Sequence, residues 1–189
     1  MDILKIENIF TQEELSVLNE IIIKQNFDVD NNLGRNIIQD IKRDLPIDII
    51  DKFYKISEKF TSKPLSIDHV MCVEYNKKYG EPNLNPHFDR DTNSLIINFQ
   101  LSANTDWGLG LNEEVYQLKD NSAVLFNGNT EIHWRPHKEF KSGEYVKMIF
   151  VRFCNPSNLP DYSHLPDHPS DIFFKKVNAV RENLKKSTI

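Results

Sequence analysis

Cysteine is scarce in this chain. Cys72 and Cys154 are the only two in 189 residues. They lie far apart, in no metal-binding spacing, and allow at most one disulfide, so a disulfide scaffold is excluded. A reducing, cytoplasmic setting is the resulting expectation. An excess of positive charge is missing too: 23 Lys and Arg stand against 28 Asp and Glu, for a formal net charge of -5. Broad affinity for a polyanion needs a basic surface, so nucleic acid is not an expected partner. No apolar run approaches membrane-spanning length. The first residues, Met1 to Glu7, lack the charged-then-apolar layout of a signal peptide, and no membrane association is expected. No internal repeat is visible.

What is present fits one globular domain over 1–189: 39% of residues are hydrophobic and 27% charged, enough for a real core at this length. Three regions follow in order. Residues 1–66 read as helical support. Thr11 and Glu14 form a capping box, Phe10 and Leu15 a hydrophobic staple, and Leu15, Leu18 and Ile22 share one helical face. Residues 25–35 read as polar turn material. Asp28, Asp30 and Asn32 briefly imitate a calcium loop, but Leu33 and Gln39 occupy the positions that need glycine and glutamate. Asn36 to Arg43 reads as a short helix. Pro46 suits the first turn of another, whose stripe is Ile49, Ile50, Phe53, Ile56 and Phe60.

Over 67–157 the hydrophobic period changes to two. Strands are expected over 70–75, 94–102, 109–111, 114–118, 123–126, 131–135 and 145–153, separated by turns such as Asn127-Gly128-Asn129. In the second of these, Leu95, Ile97, Phe99 and Leu101 share one face and Ile96, Asn98 and Gln100 the other. Many short strands with frequent turns indicate a sandwich or barrel such as a jelly roll. Residues 158–189 read as a proline-rich tail and a final helix carrying Phe173, Val177, Val180 and Leu184. The fold class is therefore mainly β with flanking helices at both ends.

The chemistry concentrates in Pro86-His87-Phe88-Asp89-Arg90 and Ile132-His133-Trp134-Arg135-Pro136. A facial iron site needs two imidazoles and one carboxylate, with open positions opposite them. Residues two apart in an extended segment point the same way, so His87 and Asp89 can offer two ligands together. His133 opens a strand after a turn and is the candidate third ligand. His137 is its rival, sharing its parity. His69, His164 and His168 read as structural or surface residues.

At these motifs the chain resembles the iron(II)- and 2-oxoglutarate-dependent oxygenases. Tyr75, the following loop and His87-Phe88-Asp89 are similar to the prolyl-4-hydroxylase-like branch. Gly128-Asn129 followed by His133-Trp134-Arg135-Pro136 is similar to the distal-histidine signature of small oxygenases. The resemblance spans about 70–153. It implies a double-stranded β-helix with His87, Asp89 and His133 as catalytic iron triad. It further implies iron(II), 2-oxoglutarate and O2 as cofactor and co-substrates. The activity implied is that of a dioxygenase hydroxylating a protein side chain such as proline, or a small metabolite, with release of succinate and CO2. A cation must meet the far carboxylate of 2-oxoglutarate; Lys147 and Arg135 both stand as candidates, with Tyr75 and Gln100 as helpers and Asn98 as a weaker one. The loop 77–86 and the segment 105–114, with Trp107 and Trp134, would border the substrate. A non-enzymatic, cupin-like metal-binding or sensing module is the alternative.

Overall fold

The computed structural model describes residues 3–63, 65–89 and 93–154. Within it, two antiparallel sheets face each other and two helices cover the outer face of the larger one. The larger sheet has seven strands in the order β1-β8-β5-β10-β4-β3-β2. Its members are β1 (Leu4–Glu7), β2 (Asp28–Asp30), β3 (Arg35–Ile38), β4 (Ser66–Asn76), β5 (Asn93–Ala103), β8 (Ser122–Phe126) and β10 (Tyr145–Cys154). The smaller sheet joins β7 (Glu114–Tyr116), β6 (Leu109–Leu111) and β9 (His133–Trp134) in that order. This is the mainly β, jelly-roll arrangement expected from the spacing of strands and turns.

Period-two patterning decides which core each strand residue joins. Leu95, Ile97, Phe99 and Leu101 of β5 join Ile149, Val151 and Phe153 of β10 in the core beneath the helices. Helix α1 (Gln12–Ile23) contributes Leu18 and Ile22 to it, and α2 (Ile47–Phe60) contributes Ile49, Phe53 and Ile56. The opposite faces supply the core between the sheets: Met71, Val73, Tyr75, Ile96, Val124, Phe126, Val146 and Met148 meet Trp107, Leu109 and Leu111. At α1, the Glu14 amide donates to Thr11 Oγ1 and the Thr11 amide to Glu14 Oε2, closing the capping box. The Phe53 ring has no exposed surface and meets Phe10 edge-on at 5.5 Å. Phe53→Ala is expected to destabilise the fold by about 3–5 kcal/mol, a cost of lost burial and cavity readable by chemical denaturation.

The region before residue 66 is less helical than its sequence suggests. Asn36 to Arg43 does not form a helix. Residues 28–38 instead make a β2–β3 hairpin that docks on β4 through Asn36, Ile37 and Ile38, and only 42–44 take a single 3-10 turn. Ile37 points to the core between the sheets, and Ile38 to the helix-side core. Those apolar residues fit a helix or a strand equally in sequence, and the free edge of β4 decides for the strand. Gly34 closes the hairpin at φ +60°, where a Cβ would also sit 2.2 Å from the Glu81 carbonyl oxygen. The tail and final helix expected over 158–189 lie outside the described residues.

Candidate metal centre

Two extended segments carry the chemistry, and they pair with each other. His87 and His133 form an antiparallel bridge: the His87 amide donates to the His133 carbonyl at 3.1 Å, and the His133 amide to the His87 carbonyl at 2.9 Å. Directly opposed residues project to the same side of a pleat, and the two rings stand 4.2 Å apart between centroids. Two residues on, the Asp89 amide donates to the Gly128 carbonyl at 3.0 Å. The Asp89 carboxylate then comes within 3.6 Å of His133 Nε2. One ligand atom each from His87, Asp89 and His133 lie within 4.8 Å of one another.

The donor set suits a divalent cation. Nδ1 of His87 lies 2.7 Å from the Asn85 carbonyl oxygen, and Nδ1 of His133 lies 3.1 Å from that of Glu131. A carbonyl only accepts, so both rings are assigned the Nδ1–H tautomer, which leaves each Nε2 lone pair for a metal. Burial, with the neighbouring His133 adding to it, holds His87 below the ordinary imidazole range and so neutral. Burial alone would raise the Asp89 carboxyl; its surroundings, His133 at 3.6 Å and Arg152 at 3.9 Å, outweigh it and hold the group below the ordinary carboxylate range. Phe126 packs on the His133 ring at 5.0 Å. Asn112 holds the segment ahead of His133, donating to Glu131 Oε2 at 2.5 Å and accepting from the Ile132 amide at 3.2 Å.

Gly128 keeps Asp89 in place by having no side chain. A Cβ there would lie 2.6 Å from Ile96 Cδ1 and 2.9 Å from Asp89 Oδ2. Gly128→Ala is therefore expected to displace the carboxylate and weaken iron(II) binding about 10–100-fold, the scale of losing a ligand's support. Competition with a colorimetric chelator measures it.

The triad opens on a cavity of about 90 Å³, and Tyr75, Asn98, Arg135, Arg152 and Arg35 line it together with Leu84, Leu109, Phe126 and Phe150. Arg135 follows His133 by two residues, hence roughly 7 Å along an extended chain. It is 7% exposed. Its guanidinium donates to the Trp107 carbonyl and to Asn98 Oδ1, both at 3.1 Å, and lies over the Trp107 ring at 4.9 Å. Burial brings it from 12.5 down to about 10, still a cation near neutral pH. Among the described residues, no carboxylate pairs with it.

Of the expected pocket residues, the structure brings Arg135, Tyr75 and Asn98 to the triad but not Lys147 or Gln100. Lys147 shares the face of Ile149 and Val151, which looks toward the helices, and ends 3.5 Å from Glu74 in a separate surface groove. Gln100 lies on the inner face but donates to Asp120 at 3.0 Å, away from the cavity lining. His137 is exposed and outside the ligand cluster, and His69 faces Asp40 at 4.0 Å. Trp107 is buried against Tyr75 and Phe140. Trp134 is buried over Gly110, where a Cβ would enter its indole. Trp134 still lines the cavity at the triad, whereas Trp107 does not. Arg152 and Arg35 are cavity residues that sequence reasoning missed. The parity of Arg152 with Met148 and Phe150 is the available signal; Arg35 has none, because residues 25–35 read as polar turn material.

No protein-family model matches the chain, and no characterised protein matches it by sequence. Solved structures do match in fold. HygX from Streptomyces hygroscopicus, with nickel and 2-oxoglutarate bound, is 10% identical over 82% of this chain and 83% of its own, at a TM-score of 0.66. The non-heme alpha-ketoglutarate-dependent epimerase SnoN is 9% identical, covering 82% and 76%, also at 0.66. The viral collagen prolyl hydroxylase of Paramecium bursaria Chlorella virus-1 is 12% identical, covering 81% and 96%, at 0.60. The chain is thus a jelly roll with two histidines and one carboxylate grouped at its mouth. Its fold is that of the iron(II)- and 2-oxoglutarate-dependent oxygenases.

Proposed function

We propose that the chain is a single-domain iron(II)- and 2-oxoglutarate-dependent oxygenase that hydroxylates a C–H bond of a second substrate. The observation that carries this is one cavity holding both a two-histidine, one-carboxylate cluster and a buried arginine with only neutral described partners. A cation kept out of water without a counter-charge is costly, and an acid ligand removes that cost. A cupin-like metal module needs no such arginine.

His87, Asp89 and His133 are the ligands in this reading, and their Nδ1–H bonds to backbone carbonyls aim both imidazoles. Bound iron(II) supplies the dioxygen chemistry: 2-oxoglutarate, O2 and R–H become succinate, CO2 and R–OH, with one oxygen atom in succinate and one in the hydroxyl. Arg135 receives the far carboxylate of 2-oxoglutarate, and its planar fork matches that group. Asn98 and the Trp107 carbonyl hold the fork in advance, so little entropy is lost on binding. Tyr75 borders the same end. Leu109, Phe126 and Phe150 keep the cavity largely apolar and limit its water.

HygX holds 2-oxoglutarate with nickel, so nickel is a convenient inert metal here. Calorimetric titration of 2-oxoglutarate into nickel-loaded protein is expected to give one site per chain, and none in metal-free protein. Equal binding with and without metal contradicts the proposal.

A further inference from the structure

Two charged side chains are buried among the described residues, Arg135 and Glu131. Arg135 faces the cavity. Glu131, 8% exposed, neither lines the cavity nor belongs to the ligand cluster. Its carboxyl oxygens are engaged within the protein: Asn112 Nδ2 donates to Oε2 at 2.5 Å, and Thr130 Oγ1 to Oε1 at 3.3 Å. Taking a carboxyl group out of water is costly, and neutral donors return only part of that cost. Glu131 stands two residues before His133, and its carbonyl oxygen lies 3.1 Å from His133 Nδ1.

The bridge to His87 fixes the His133 backbone through its amide and carbonyl. It does not fix the imidazole, which can still turn about its side-chain bonds. The Glu131 carbonyl sets that rotation, and a carbonyl can aim a ring only if its own peptide is held. Asn112 holds it. Asn112 sits in the turn between β6 and β7 at φ +54°, a left-handed conformation that asparagine tolerates better than most residues. Its amide donates to the Ile132 carbonyl at 2.7 Å, and its Oδ1 accepts from the Ile132 amide at 3.2 Å. The Ile132 amide and the Glu131 carbonyl belong to one planar peptide unit, so fixing the one directs the other. The Glu131 carboxyl in turn holds Asn112 Nδ2, which keeps Oδ1 turned toward Ile132. We infer that Asn112 and Glu131 are positioning residues of the metal centre. The carboxyl orients the Asn112 side chain, Asn112 orients the 131–132 peptide, and that peptide aims His133 Nε2. The inference rests on the reading of the triad as a metal site.

Cobalt(II) is the probe for the test, because its visible bands report ligand geometry and need no 2-oxoglutarate. Glycine accepts φ +54°, so Asn112→Gly keeps the backbone bond to Ile132 and loses only the side-chain relay. Cobalt(II) Kd is expected to rise about 10–100-fold in Asn112→Gly and in Glu131→Ala, the scale of losing a ligand's orienting contact. At saturating metal their bands are expected to differ from the parent's. Glu131→Gln can still accept from Asn112 Nδ2 and is expected to restore both affinity and bands. Parental affinity and bands in Asn112→Gly and Glu131→Ala overturn the inference. Weaker binding with unshifted bands overturns it too, since lowered stability alone gives that result. Glu131→Gln as impaired as Glu131→Ala assigns the effect to charge and removes the relay. If Asn112→Gly does not fold, the two Glu131 variants carry the comparison. A parent chain that takes up no cobalt(II) overturns the metal site and the inference together. Failure of a 2-oxoglutarate band to form with iron(II) is a separate result and counts against the oxygenase reading.

Discussion

Asp89→Ala protein is expected to fold, to lose iron(II) on dialysis and to turn over no 2-oxoglutarate. Asp89 is the only anionic donor of the three, and its carboxyl is held ionised by His133 and Arg152. Removing it leaves two imidazoles with a cation, Arg152, close by. Affinity should fall by at least about 100-fold, beyond the usual cost of losing a mere supporting contact. Asp89 belongs to none of the apolar clusters, so the thermal transition should stay cooperative. Metal content by mass spectrometry, beside a circular dichroism melt, separates a lost ligand from a lost fold. Substoichiometric but tight iron in a folded Asp89→Ala protein would remove Asp89 from the ligand set.

Arg135→Gln carries the second large effect, and it acts in two directions. Loss of the buried fork should weaken 2-oxoglutarate binding by about 2–5 kcal/mol, or roughly 30- to 5,000-fold, the range for truncating one member of a buried charge pair. Stability without ligand should not fall in proportion. Burial already disfavours the charged guanidinium, as its descent to about 10 shows, and glutamine can still donate to Asn98 or the Trp107 carbonyl. Weakened co-substrate with a nearly parental melting temperature is the signature of a ligand-binding cation rather than a structural one. Lys147→Ala serves as control. Its ammonium faces Glu74 outside the cavity, so its 2-oxoglutarate affinity should match the parent within about twofold, as for most surface ion pairs. A large loss in Lys147→Ala and none in Arg135→Gln would reverse the assignment.

The contrast between Lys147 and Arg135 shows where the sequence stops being informative. Strand β5 declares its faces, because Asn98 and Gln100 interrupt one side and nothing polar interrupts Leu95 to Leu101 on the other. Strand β10 does not: Val146, Met148 and Phe150 alternate with Ile149, Val151 and Phe153, and both sets are packed. A strand sandwiched between two cores reads as a continuous apolar run, so parity relates Lys147 to Ile149 without saying which face meets the cavity. The helices settle it by covering the Ile149 face. The Asn36–Arg43 segment fails similarly, since its isoleucines satisfy either period until β4 offers an edge. The grouping of His87, Asp89 and His133 was easier to anticipate. Two of the three are local in sequence, and a turn at 127–130 announces the strand bearing the third. The bridge that aligns His87 with His133 is a long-range backbone contact, and no local pattern encodes it.

The triad and Arg135 are proposed to hold iron(II) and 2-oxoglutarate together. Metal-free protein should be titrated anaerobically with iron(II), and then with 2-oxoglutarate, while the visible spectrum is followed. A saturable metal-to-ligand charge-transfer band is expected at one equivalent of each, absent in Asp89→Ala and shifted to far higher 2-oxoglutarate concentration in Arg135→Gln. Stoichiometric iron uptake with no band at any 2-oxoglutarate concentration would contradict it and leave a metal-binding jelly roll without oxygenase chemistry.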